Sequence, residues 1–217
     1  FIVAHNIGKN RINVVHQAVR QAITLSILSG IVISVVSVAI SGKLPIWLGA
    51  EEDVYKPAAD YFMIIGTSLG AVTVSTVISG VMRAAGNTKL PLFANIGANL
   101  LNVAGNYILI YPTRQINFFG SIINMYGAGL GVCGAAISTA AAHFVLAVFL
   151  LIMLYKKPTP VKIRIRGDYR LTRRIFKDVF RIGIPVCIER CSLSFGHIIL
   201  TAMISGLGTI ALAAHYL

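Results

Sequence analysis

The sequence predicts an all-α fold, a polytopic transmembrane helical bundle, and three observations carry that reading. First, 56% of the 217 residues are hydrophobic and only 12% are charged, with a mean hydropathy of +0.79. A soluble domain has about a quarter of its residues charged. Second, several apolar runs reach the roughly 20 residues that a helix needs to cross a bilayer. Third, the basic residues alternate from loop to loop. Lys9, Arg11 and Arg20 lie in or beside the first loop, Arg83 and Lys89 bracket the third, and ten more fall between Lys156 and Arg181. The intervening loops hold only Lys43, Lys56 and Arg114. This positive-inside pattern puts the basic loops in the cytosol. It accounts for the net charge of +12 without a nucleic-acid partner.

Taken in order, Phe1 to Asn13 reads as a helix end and a basic cytoplasmic loop, and Ile12 to Ile40 as the first complete span. Its first turns are polar on one side (His16, Gln17, Arg20, Gln21), as befits a helix emerging at the interface. Ser41 to Lys56 is an outer loop holding Trp47, Tyr55 and the acidic trio Glu51, Glu52 and Asp53. The aromatics suit an interfacial belt, and the trio reads as a solvated acidic loop. Pro57 to Met82 is the second span. Gly66, Gly70 and Gly80 and a scatter of Ser and Thr permit close helix contact there. Gly86 then supplies a helix C-cap and Pro91 sits in the first turn of the next helix, where its missing N–H costs nothing. That helix, Leu90 to Tyr111, carries Asn95, Asn99, Asn102 and Asn106. Steps of four, three and four put all four amides on one face. An amide left unpaired in hydrocarbon costs several kcal/mol, roughly 4 or more, so this face is expected to meet other helices or a wet cavity.

Pro112 to Met125 is an outer loop, re-entrant or interfacial, and Tyr126 to Tyr155 is the fourth span. Lys156 to Arg181 is the long inner connection. Within it Leu171, Ile175, Phe176, Val179 and Phe180 form an apolar stripe beside Arg173, Arg174, Lys177 and Arg181, an amphipathic interfacial helix. Ile182 to Ile204 is the fifth span, Ser205 to Gly208 an outer turn, and Thr209 to Leu217 the start of another helix. The domains expected are residues 1–155, a linker at 156–181, and 182–217. No signal peptide is apparent, and the chain reads as an internal fragment.

Glu189 is the only carboxylate well inside a span, which makes it a functional candidate by default, since insertion of an acidic residue costs roughly 2.5 to 3.5 kcal/mol. Such a carboxylate could exchange H⁺ for a cation. Its place about 10 Å along the helix from Ile182 also leaves it within reach of water or a basic loop. Arg190 next to it can snorkel. His143 and His197 lie in spans, as helix-to-helix hydrogen-bonding groups or proton relays. Cys133, Cys187 and Cys191 read as small apolar packing residues. Gly129-Leu-Gly131-Val-Cys-Gly134 matches the dinucleotide fingerprint in letters only, because the segment before it reads as a loop rather than a strand and no acidic residue follows at about twenty positions. No phosphate-binding loop is present, and no nucleophile–base pair or metal cluster points to an enzyme.

Several motifs occur in one order along the chain. They are Ala4-His5-Asn6-Ile7-Gly8; Gly80-x-x-Arg83-x-x-Gly86-Asn87-Thr88-x-x-Pro91; Asn102-x-x-x-Asn106; Gly131-x-x-Gly134-Ala135-Ala136-x-Ser138-Thr139; Gly183-Ile-Pro185; and Leu207-Gly208-Thr209-x-x-x-Ala213-Ala214-His215. Together they resemble the multidrug and toxic compound extrusion (MATE) transporters. The resemblance implies two six-helix lobes around a central cavity, with this chain covering the third to seventh helices and the start of the eighth. It implies a plasma-membrane antiporter that exports cationic or amphipathic drugs in exchange for Na⁺ or H⁺. Its partners would be small organic cations and membrane lipid, with no cofactor beyond the coupling ion and no obligate protein partner evident.

In some members of that family a cation site uses an acidic residue of the first helix with an Asn and an Asp of the fifth and a carbonyl and a Thr of the sixth. Those positions fall on Asn102, Asn106, the Ala135 carbonyl and Thr139, an oxygen set suited to a hard cation such as Na⁺. This chain departs from the pattern at Asn106, which replaces the carboxylate. Asn95, Asn99, His143 and His197 are expected to line the substrate cavity; for Asn95 the alternative is simple helix-to-helix adhesion. Two other readings stand beside export: a lipid-linked saccharide flippase of a related class, and a non-transporting helical subunit or channel.

Overall fold

The computed structural model describes residues 2–47, 52–118, 121–156 and 173–205. They fall into two units, Phe1–Arg170 and Leu171–Leu217. The first holds helices α1 (Ile2–Gly8), α2 (Ile12–Ser41), α3 (Leu44–Trp47), α4 (Glu52–Ala84) and α5 (Lys89–Ile110), a hairpin of β1 (Pro112–Phe118) and β2 (Ser121–Ala128), and α6 (Gly131–Lys156). The second holds α7 (Arg173–Ser205).

Among the described residues three helices are long and apolar enough to cross a membrane: α2, α4 from Val54 onward, and α6. Helix α5 has the length, 22 residues, but its four asparagines lower its hydropathy below theirs. The all-α reading holds, with one addition in the outer loop. Pro112 to Met125, expected as a turn, forms most of an antiparallel hairpin in which Gln115 faces Asn124 and Ile116 faces Ile123. The hairpin extends through Ala128, so α6 starts at Gly131 rather than Tyr126. Alternating residues such as Ile116, Phe118, Ile122 and Tyr126 have the period and composition of strands, which the loop reading overlooked.

The second difference lies in α7. The expected interfacial helix and fifth span are one continuous helix from Arg173, with Pro185 inside it. No breaker other than Gly183 and Pro185 stands at the expected boundary, and a spanning helix accommodates both. Residues 157–172 of the inner connection, Glu51 of the acidic trio, and the turn and helix expected after Ser205 lie outside the described residues.

The core of the first unit lies where the start of α2 meets the ends of α4 and α6. Val15, Val19 and Ile23 pack with Val74, Ile78 and Met82 and with Leu146, Leu150 and Leu154, closed off by Val3 of α1. The four-residue steps place each set on one stripe of its helix. At the end of α4, Gly86 takes φ +85°, the Gly86 N–H donates to Arg83 O at 3.0 Å and Asn87 N–H to Met82 O at 2.9 Å. These are the two bonds of a Schellman cap. Asn87 Oδ1 then accepts from Leu90 N–H at 3.2 Å and opens α5.

Helices α2 and α4 cross at backbone distance. A Cβ added to Gly30 would lie 3.0 Å from Gly70 Cα, and one added to Gly70 would lie 3.3 Å from Gly30 O. Ser34 Oγ accepts from Gly70 N–H at 2.8 Å and reaches Thr67 O at 3.4 Å, which ties the crossing together. Gly70→Leu is therefore expected to destabilise the protein by about 1–3 kcal/mol, since backbone cannot give way as a side chain can. Gly80→Ala is expected to leave stability unchanged or raise it, because nothing described lies within 4 Å of the added methyl group. Thermal unfolding of both variants in detergent tests the contrast.

Candidate functional site

The amides predicted to converge lie on α5, and their principal neighbour is α6. The two helices run antiparallel and touch most closely near their outer ends. Two glycines allow it. A Cβ on Gly134 would lie 2.5 Å from Leu109 O, and a Cβ on Gly105 would run into Ser138 Oγ. Leu130 N–H donates to Leu109 O at 2.9 Å and Gly129 N–H to Tyr111 O at 2.9 Å, so the hairpin and the start of α6 are bonded onto the end of α5.

At this approach the side chains form one directed chain of hydrogen bonds. Asn106 Nδ2 donates to Asn102 Oδ1 at 3.1 Å. Asn102 Nδ2 donates to Thr139 Oγ1 at 3.0 Å, with Ser138 Oγ at 3.4 Å. Thr139 Oγ1 donates to Ala135 O, one turn back on α6, at 2.9 Å. Ser138, only 2% exposed, crosses the other way and donates to Asn102 O at 2.8 Å. The chain ends in an unmatched acceptor: Asn106 Oδ1 is buried and has no partner among the described residues. A buried carbonyl oxygen without a donor or cation costs about 1–3 kcal/mol.

The structure thus brings Asn102, Asn106, Ala135 and Thr139 together. It adds Ser138, whose weight lies in facing Gly105 across the gap, a relation that sequence spacing within either helix does not express. The other expected residues lie elsewhere. Asn95 and Asn99 share the amide face but stand exposed among the described residues, and Asn95 Nδ2 donates back to Pro91 O at 2.7 Å. The reason is the crossing of the helices. Toward the start of α5 and the end of α6 the two helices part around an apolar cavity of about 470 Å³ lined by Phe93, Gly97, Leu101, Val145 and Phe149 among others. His143 is half-buried on α6, and Glu189 and His197 are exposed on α7 in the second unit.

Chemically, the cluster offers four neutral oxygens: Asn102 Oδ1, Asn106 Oδ1, Thr139 Oγ1 and Ala135 O. Oxygen donors of this kind suit a hard monovalent cation. The buried, unmatched Asn106 Oδ1 is where the set is open to one. No carboxylate belongs to it, and among the described residues no group of three or more His, Cys, Asp or Glu forms a metal cluster.

Three long apolar helices with oxygens and amides shared between two neighbouring helices define an integral, multi-pass membrane protein with a polar site inside the bundle. Comparison with known proteins narrows the class. The MatE family model matches residues 1–108. The chain is 26% identical over 165 residues to the uncharacterized transporter YisQ of Bacillus subtilis, covering 76% of this chain and 34% of YisQ. It is 23% identical over 220 residues to the probable multidrug resistance protein NorM of Thermotoga maritima, covering 98% of this chain and 43% of that protein. Its fold is similar to a crystal structure of MATE in complex with MaD3S, with a TM-score of 0.84 over 99% of this chain and 45% of that one, at 23% identity. Together these matches support a fragment of a MATE-family transporter. The chain spans less than half the length of these relatives, which are named as transporters and resistance proteins rather than enzymes.

Proposed function

We propose that this chain forms part of a secondary transporter of the plasma membrane that exports small cationic or amphipathic compounds in exchange for an entering cation. The names of the relatives support export of drugs. The observation that carries the coupling half is the directed hydrogen-bond chain from Asn106 to Ala135 O with an open oxygen at its start. A cation seated against Asn106 Oδ1 draws the amide toward itself. That changes how firmly Asn106 holds Asn102, and Asn102 holds Thr139. The α5–α6 contact is thereby linked to occupancy, and an ion that favours one arrangement shifts the population of inward- and outward-facing states. The partners in this reading are organic cations and the surrounding lipid, with no cofactor beyond the transported ion.

The groups present support Na⁺ rather than H⁺ at this site. Amides, a hydroxyl and a backbone carbonyl do not ionise near neutral pH, so this site suits Na⁺ and offers H⁺ no base. Glu189, on α7, is the carboxylate left to carry any proton-driven part.

Ethidium efflux from vesicles holding the full-length protein tests the reading, with Na⁺ and pH gradients imposed separately. Efflux is expected to follow the Na⁺ gradient. Asn106→Asp, which adds a charge to the oxygen set, is expected to lower the half-saturating Na⁺ concentration about tenfold, a change of about 1.4 kcal/mol. The gain should fade on acidification, as the new carboxylate takes up a proton. Glu189→Gln is expected to weaken only the pH-driven part. Wild-type efflux indifferent to both gradients contradicts the proposal.

A further inference from the structure

We propose that Tyr107 and Tyr111, at the outer end of α5, form a binding site for planar organic cations, and that Arg114 occupies this site as a tethered competitor. The two tyrosines are one helical turn apart, with ring centroids 6.2 Å apart and planes at 61°. The Arg114 guanidinium carbon lies 4.5 Å from the Tyr107 centroid and 4.0 Å from the Tyr111 centroid. Both distances fall inside the roughly 6 Å range over which a ring face attracts a cation. Among the described residues no carboxylate pairs with Arg114, so the ring faces are what hold its charge.

What these rings bind is a flat, delocalised, weakly hydrated cation, which is the character of a guanidinium. It is equally the character of a planar aromatic ammonium. The surroundings suit the remainder of such a molecule. A groove of about 450 Å³ runs along α5 beside the rings, lined by Leu100, Val103, Ala104, Asn106, Tyr107 and Ile110 among others. It is apolar along most of its length. At Asn106 it meets the residue whose Oδ1 is buried without a partner among the described residues. An apolar body in the groove and a positive charge over the rings together describe an amphipathic organic cation.

Arg114 reaches the rings from β1, which is held to β2 beside it. Thr113 Oγ1 donates to Gly127 O and accepts from Gly127 N–H, both at 3.2 Å. A charge tethered on so short an arm is present at high effective concentration. An incoming cation must therefore displace it, and Arg114 holds down affinity at the outer mouth, where an exporter has to let its cargo go.

The inference rests on the export reading only for the choice of an organic cation, so the test is equilibrium binding without any gradient. Ethidium binding to the full-length protein in lipid nanodiscs is read by fluorescence anisotropy. Arg114→Gln is expected to tighten binding about fivefold to tenfold. Arg114→Lys should fall between the two, because an ammonium is more strongly hydrated and stacks less well. In the Arg114→Gln background, Tyr107→Leu or Tyr111→Leu should remove the gain. Unchanged or weaker binding in Arg114→Gln overturns the proposal, and so does a gain that survives loss of either ring. Should Arg114→Gln not fold, phenylglyoxal labelling of the wild-type protein serves instead: saturating ethidium should speed modification of Arg114, and an unchanged rate refutes displacement. Sound binding with no gradient-driven efflux would fault the export reading and leave this one standing.

Discussion

Asn102→Ala is expected to reduce Na⁺-coupled efflux by up to about tenfold while the protein still folds. Asn102 is the middle of the chain: it accepts from Asn106 Nδ2 and donates to Thr139 Oγ1. Hydrogen bonds between membrane helices average about 0.6 kcal/mol and reach about 1.7 kcal/mol. Folding therefore loses about 1–2 kcal/mol, and the backbone contact of Ser138 Oγ with residue 102 survives because it uses the main-chain oxygen. Transport suffers separately. Asn106, whose Oδ1 has no partner among the described residues, loses the partner of its Nδ2 as well, a hydrogen bond worth about 0.5–1.5 kcal/mol. The residue then has no reason to keep its orientation. Since about 1.4 kcal/mol is a factor of ten, the coupling step falls by up to about tenfold. Efflux and thermal unfolding measured on one preparation separate the two effects. Efflux within twofold of wild type would show that the amide chain only holds helices together.

Gly134→Ala is expected to be the most damaging single methyl group in the described residues of α6, with a loss of about 3 kcal/mol or more of stability and little properly inserted protein. The added Cβ would stand 2.5 Å from Leu109 O and 2.7 Å from Leu109 C. That carbonyl cannot move freely, because it also accepts from Leu130 N–H. The only relief is to push the start of α6 away from α5, which pulls Thr139 off Asn102 in the next turn. Lower expression and a lower unfolding temperature are the expected measurements. Ethidium efflux by the residual folded fraction should be weaker than stability alone explains. A Gly134→Ala protein with wild-type stability would mean that the approach of α5 and α6 is looser than described.

The two predictions show how unevenly the site could be read. Spacing alone put Asn102 and Asn106 on one face, and resemblance paired them with Ala135 and Thr139. The same spacing also grouped Asn95 and Asn99 with them, and the structure separates these. A helical face is a property of one helix. Which part of it meets a neighbour depends on the crossing of two. Here the crossing is set by Gly105 and Gly134, which draw the outer ends of α5 and α6 together and leave the inner ends apart. Ser138 was visible in a motif but its contact was not, for the same reason. The Arg114–Tyr107–Tyr111 cluster escaped notice because it joins a helix end to a strand in a segment that read as a turn.

The sequence by itself determined the membrane environment, the helical class and most of the helix ends in the first unit, because hydropathy and caps act over a few neighbouring residues. Gly86 ends α4 and Pro91 opens α5 whatever else surrounds them. Only the tertiary structure decided which polar groups meet. Helices of similar apolarity can cross in many ways, and the choice rests on glycine contacts between residues thirty or more positions apart, such as Gly30 with Gly70 and Gly105 with Ser138.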